Sequence, residues 1–198
     1  MKLDTGTELP DNFILTKEFK ETFNLINDTN ANLFITGKAG CGKSTLLEYF
    51  RQNTDKNYVT LAFQGITAIK VKGQTLHSFF KFPPHFISDQ DIKTLKDKEV
   101  IQNLDTILID EISIVRADLF DAIDLFLKKN RKNNQPFGGV QIILFGDVMQ
   151  IDPIVGSDDE VMEKFYPKGP FFFNSNIYAQ GEFKQIELTK IFRQSDET

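Results

Sequence analysis

The sequence predicts an α/β fold in which a mostly parallel sheet is flanked by helices. Three observations carry this. Short apolar runs at residues 33–35, 58–63, 106–109 and 140–145 read as strands buried on both faces. Between them lie stretches whose apolar residues recur at three- and four-residue steps, the spacing of helices. A glycine-rich segment at 37–42 joins the first of these strands to a helix.

Taken in order, residues 1–14 are expected to form a polar lead-in and residues 15–198 one domain. Residues 16–27 read as a helix: Phe19, Phe23 and Ile26 share a face, and Thr16 stands where an N-cap belongs. A turn and the first strand follow at 30–36. After the glycines a helix starts near Lys43 and continues through Leu46, Leu47, Tyr49 and Phe50. Residues 58–63 are the second strand, 65–80 are mixed, and Pro83-Pro84 marks an exposed loop. The charged stretch 91–102 reads as helical, 106–109 as a buried strand and 117–129 as a helix. There Leu119, Ile123, Phe126 and Leu127 share a face, and Lys128 and Lys129 suit the negative end of the helix dipole. A loop at 130–136, a strand at 140–145, a loop at 156–169 and a last strand at 183–188 complete the chain. In such sheets ligands bind at the carboxyl ends of the strands.

The chain has 198 residues, 40% hydrophobic and 26% charged, enough to bury a core without staples. Its 20 Phe, against no Trp and 4 Tyr, are expected to fill that core. With 1 Cys no internal disulfide forms, which suits a reducing compartment. No apolar stretch follows the N-terminal charge, and no run approaches the roughly 18 apolar residues of a membrane helix. A cytoplasmic protein without membrane association is expected. The net charge of −5 argues against a generally basic nucleic-acid binder but leaves room for a local groove.

Gly37-Lys38-Ala39-Gly40-Cys41-Gly42-Lys43-Ser44 fits the phosphate-loop pattern G-x-x-x-x-G-K-[ST]. Gly37, Ala39, Gly40, Cys41 and Gly42 would bring backbone N–H groups to phosphate oxygens. Lys43 would carry charge to the outer phosphates, and the hydroxyl of Ser44 would hold Mg²⁺, with Thr45 in the same first helical turn. Cys41 is either an inert small residue or a thiolate favoured by the helix N-terminus. Ile107-Leu108-Ile109-Asp110-Glu111 is a buried strand ending in two carboxylates, an arrangement that calls for a cation. Asp110 would hold Mg²⁺ through water and Glu111 would activate the attacking water, which makes the site hydrolytic. Gln150, after the strand at 140–145, reads as a γ-phosphate or water contact or as a surface turn residue. Arg193, beside Phe192, reads as a phosphate ligand or a solvated arginine. The basic run Lys128-Lys129-Asn130-Arg131-Lys132 reads as a solvated helix end, with contact to DNA as the alternative.

Together these segments resemble the superfamily 1 DNA helicases of the RecD-like, Pif-type branch, from about Leu15 to Asp196. The segment Phe34–Ser44 looks like motif I, and Gly65-Ile66-Thr67-Ala68 with the 73–80 segment looks like the motif Ia region. Residues 109–118 look like motif II, 137–141 with 146–150 like motif III, and 188–196 like motif IV. The resemblance implies a RecA-like, P-loop NTPase domain of an ATP-driven motor that translocates 5′ to 3′ on single-stranded DNA. It makes Gln150 a γ-phosphate sensor and Arg193 a γ-phosphate ligand, and it places Gly65, Thr75 and His77 near the DNA strand. A structural role for His77 stands beside that one. Phe19 stands where the family usually has an adenine-reading Gln, so the resemblance does not carry adenine specificity over to this chain. Phe63-Gln64 replaces the usual Pro-Thr, and Asp152 a usual Pro. The family places a second RecA-like domain after motif IV, carrying an arginine that completes the ATP site. This chain ends at Thr198, and weak turnover is expected of it alone.

Two rivals belong to other classes. In a nucleotide-gated interaction module, ATP would order a surface for a protein partner. A small-molecule kinase would need an arginine-rich lid, and no such segment is seen.

Overall fold

The computed structural model describes residue 9 and residues 13–147 and 152–189. Helix α1 (Lys17–Asp28) begins as the sequence requires, with the hydroxyl of Thr16 accepting the Phe19 N–H at 3.2 Å. Strand β1 (Leu33–Thr36) is buried along its whole length and leads through the glycine loop into α2 (Lys43–Asn53). Strand β2 (Tyr58–Ala62) is followed by α3 (Gly65–Lys70), β3 (Gln74–Thr75) and α4 (Leu76–Phe80). The short α5 (Glu99–Gln102) precedes β4 (Thr106–Asp110). Then come α6 (Ala117–Arg131), β5 (Gln141–Phe145), α7 (Asp159–Phe165), α8 (Asn176–Gln180) and β6 (Lys184–Glu187).

The strands form one six-stranded sheet in the order β3-β2-β4-β5-β1-β6, and every pair is parallel. Alternate residues therefore feed opposite faces. Ile107, Ile109, Ile142 and Leu144 pack with Leu119, Phe120, Ile123 and Phe126 of α6. Leu33, Ile35, Leu108, Ile143 and Phe145 pack with Phe19 and Ile26 of α1 and Leu46 and Phe50 of α2. Phenylalanine fills both layers, as its abundance predicted: Phe19, Phe50, Phe80, Phe120, Phe126 and Phe145 are among the largest fully buried side chains. Among the described residues no helix is long and apolar enough to cross a membrane.

Three expectations are corrected. The stretch 91–102 is not a continuous helix. Only a single 3₁₀ turn (Asp89–Asp91) and α5 form there, because α6 side chains satisfy the backbone in place of a helical ladder. Asn130 accepts from Leu95 N at 2.8 Å and donates to Lys93 O at 3.0 Å, and Lys129 Nζ donates to Ile92 O at 2.6 Å. The basic run is accordingly a clamp rather than a solvated helix end. Lys128 pairs with Asp124 at 2.7 Å, Asn130 is fully buried, and Arg131 Nε donates to Gly138 O at 2.8 Å. Residues 156–169, expected to be a loop, contain α7, which buries Met162 alone and so carries little apolar periodicity to read.

Candidate functional site

In an all-parallel sheet the carboxyl ends of β1, β2, β4 and β5 open onto one edge. The glycine loop leaves β1 there. Gly37 has φ +149°, and a Cβ on it would lie 2.5 Å from Cys41 Sγ and 2.6 Å from Leu188 O, so only glycine fits. Gly40 and Gly42 are left-handed at φ +81° and +88°, and Gly42 caps α2. Ala39 and Gly40 are exposed and Cys41 is 2% exposed, which agrees with Cys41 as a packing residue. Lys43 Nζ folds over its own loop, donating to Gly37 O and, at 3.2 Å, to Lys38 O. Ser44 is exposed and Thr45 half-buried in the first turn of α2.

Two strands away, β4 ends at Asp110. Burial pushes its carboxyl above the usual carboxylate range, and neighbouring Glu111 adds to this. The backbone N–H of Glu111, donating at 2.9 Å, and the charges of Lys43 and Lys70 oppose it. Lys43 and Asp110 thus lie in each other's field, across the gap between loop and strand end. Glu111 has φ +54° and ψ +46°, a left-handed conformation that a residue with a Cβ holds only when its surroundings enforce it. Its Oε2 accepts the hydroxyl of Thr67 on α3 at 2.7 Å.

Thr67 was not singled out by the sequence. What places it is strand register: Ala62 of β2 pairs with Asp110 of β4, so the helix that follows β2 lies beside the acids that end β4. Pairing of strands distant in sequence leaves no local signal.

Gly65 opens α3, is exposed, and has nothing within 4 Å of where a Cβ would stand. Among the described residues nothing demands glycine there. Thr75 ends β3 and caps α4, its hydroxyl accepting Ser78 N at 3.2 Å. The half-buried ring of His77 packs edge-on against Phe63, with centroids 5.5 Å apart. Burial lowers the pKa of His77, the Arg116 charge lowers it further, and Asp118 opposes. The parallel pair Ala62–Thr75 sets these three residues at the same sheet edge as the acids. Gln150 and Arg193 lie outside the described residues.

The donor set suits a hard cation. Ser44 and Asp110 offer oxygen atoms, and an Asp110 charge that burial makes costly is one a cation would relieve. Among the described residues no cluster of three or more His, Cys, Asp or Glu forms a metal cage. Magnesium shared with phosphate oxygens and water needs none.

Residues 14–198 match the family model described as PIF1-like helicase. The chain is 32% identical over 193 residues to the ATP-dependent DNA helicase RRM3 of Saccharomyces cerevisiae, covering 92% of this chain and 26% of that protein. Against the human ATP-dependent DNA helicase PIF1 it is 33% identical over 172 residues, covering 84% and 26%. A crystal structure of Pif1 helicase from Bacteroides in complex with ADP-AlF3 and ssDNA superposes with a TM-score of 0.85 at 41% identity. That match covers 94% of this chain and 44% of that one. Pif1 helicase from Candida albicans gives a TM-score of 0.77 at 31% identity, covering 92% and 41%. The chain spans about a quarter of the curated relatives it matches. The fold, the phosphate loop, the acidic strand end and the match over residues 14–198 agree: the chain belongs to the PIF1-like helicase family.

Proposed function

We propose that residues 15–198 form the ATP-hydrolysing motor domain of a DNA helicase that moves 5′ to 3′ on single-stranded DNA, working against a second RecA-like domain. The observation that carries this reading is the convergence of Lys43 and the Asp110–Glu111 pair at one sheet edge. Support for both ligands comes from the Bacteroides Pif1 complex with ADP-AlF3 and ssDNA.

ATP phosphates would lie against the backbone N–H groups of Ala39, Gly40, Cys41, Gly42, Lys43, Ser44 and Thr45. Lys43 would exchange the carbonyls of Gly37 and Lys38 for outer phosphate oxygens, a stronger partner because it is charged. Ser44 and Asp110 would hold Mg²⁺, which when bound neutralises developing phosphate charge. Glu111 would orient the attacking water and take its proton. Gln150 and Arg193 are assigned to the γ-phosphate by the resemblance. Gly65 would admit the close approach of the DNA backbone, with Thr75 and His77 lining the same path. Nucleotide and Mg²⁺ are the ligands of the first half of the site, single-stranded DNA of the second.

The test is ATP hydrolysis by the full natural protein with and without single-stranded DNA. Strong stimulation is expected, falling roughly 100-fold or more in Lys43→Ala, the scale of losing a preorganised charge contact in the transition state. A rate indifferent to DNA would overturn the motor reading in favour of a nucleotide-gated interaction module.

A further inference from the structure

We propose that Thr67 is a positioning residue for Glu111, and that α3 thereby connects the strand-contacting segment to the hydrolytic carboxylate. This rests on the reading of Glu111 given above. The hydroxyl of Thr67 donates to Glu111 Oε2 at 2.7 Å; Thr67 is 6% exposed and Glu111 half-buried, so the bond is partly screened from water. A helical threonine commonly turns its hydroxyl back to the carbonyl four residues earlier. Thr67 directs it instead to another strand's end, and to the oxygen of a residue whose own backbone is left-handed.

Two restraints therefore define where the Glu111 carboxylate sits. One is the turn at the end of β4, which fixes its backbone; the other is Thr67, which fixes its tip. With Oε2 held by Thr67, Oε1 would be the oxygen that takes the proton of the attacking water. The same helix carries Lys70, whose charge favours the ionised form of Asp110. Helix α3 is thus bonded to Glu111 through Thr67 on its inner side. Its outer side is open: Gly65 is exposed, and Ile66 and Ile69 are 71% and 78% exposed. Gly65 and Thr67 lie in the same six-residue helix, so a shift imposed at Gly65 would move the Thr67 hydroxyl with it. A strand bound along the outer side and a water poised on the inner side would report to each other through this one hydrogen bond.

The test compares Thr67→Val, which keeps shape and removes the donor, with Thr67→Ser, which keeps the donor, in the full natural protein. Thr67→Ala serves as a second donorless variant should Val disturb packing. ATP turnover is measured with and without single-stranded DNA, alongside thermal melting. The DNA-stimulated kcat of the Val variant should fall about tenfold, the scale of one hydrogen bond to a charged group, while KM for ATP stays within about twofold. Ser should restore most of the loss. In a Glu111→Gln background Thr67→Val should add almost nothing, because the two act as one unit. Wild-type kcat in both donorless variants, or an undiminished further loss in the Glu111→Gln background, would overturn the assignment of Thr67. Wild-type turnover by Glu111→Gln itself would overturn the reading of Glu111 beneath it, a failure visible before Thr67 is changed.

Discussion

Removing the carboxylate of Asp118 tests how the start of α6 is held. Asp118 is 1% exposed and accepts Arg116 Nε at 2.9 Å and Nη2 at 2.7 Å, a bidentate pair, while its Oδ2 also accepts Ile87 N at 3.0 Å. Arg116 Nη1 donates onward to Asp158 at 2.8 Å. Burial disfavours the Arg116 charge, and pairing with Asp118 and Asp158 together outweighs it. In Asp118→Ala the guanidinium keeps Asp158 alone among the described residues, and the Ile87 N–H loses its acceptor. Breaking one partner of a buried pair costs about 3–5 kcal/mol, and a stranded buried amide about 1–3 kcal/mol. Asp158 retains part of the pairing, so the sum falls near the low end, about 4 kcal/mol. For a chain of this length that corresponds to a fall in Tm of roughly 8–16 °C. Asp118→Asn, which keeps an acceptor for the amide, should lose about half as much. Replacing both partners, as Arg116→Met with Asp118→Leu, should cost less than the two single changes added together, since no charge is left buried without its partner. Denaturant titration and calorimetry measure all five variants, the two single changes Arg116→Met and Asp118→Leu included. A loss below about 1 kcal/mol in Asp118→Ala, or strict additivity in the double variant, would refute the reasoning.

Two predictions concern titration. Because burial raises the folded-state pKa of Asp110, the folded protein prefers the proton more than the unfolded chain does. The ionised form therefore weakens the fold at neutral pH, and the penalty fades as pH falls through the folded pKa. Without nucleotide, Asp110→Asn should melt above wild type near pH 7 and converge with it in acid, while hydrolysis collapses; a lower melting temperature at neutral pH would contradict this. His77 is the mirror case, its folded pKa depressed by burial and Arg116. Its contribution to stability is complete above the unfolded value of about 6.5 and is lost as pH falls below it. Wild type should lose more stability between pH 7 and 5 than His77→Gln, and equal slopes would show that the ring's burial is not what sets its charge.

What could be read from the chain divides along physical lines. Local chemistry was legible: the Thr16 cap, the buried strands and the phosphate loop each follow from neighbours within a few residues. The 91–102 segment was not, because Asn130 and Lys129, some 35 residues away, supply its hydrogen bonds. Nor was α7, whose seven residues bury one side chain and need no periodic stripe. In the site, the acid pair declared itself by the incongruity of two carboxylates at the end of an apolar strand. Thr67 did not, since an isolated threonine in a short helix has no such incongruity. Only the β2–β4 register reveals its partner.

The same contrast explains why this edge of the sheet runs against local preference. Asp110 has its carboxyl placed where burial disfavours the charge, and Glu111 holds a left-handed turn that costs on the order of 1–3 kcal/mol. Neither would persist in a peptide. Both persist because β4 lies between β2 and β5 with its apolar residues locked into two cores, so the strand end has no freedom to relax. On the proposed reading, the carboxylates would thereby be set in place before phosphate arrives, and reorganisation would be avoided at the moment of reaction. An acid pair on a flexible loop would relax at no cost and would have to be ordered anew in every catalytic cycle.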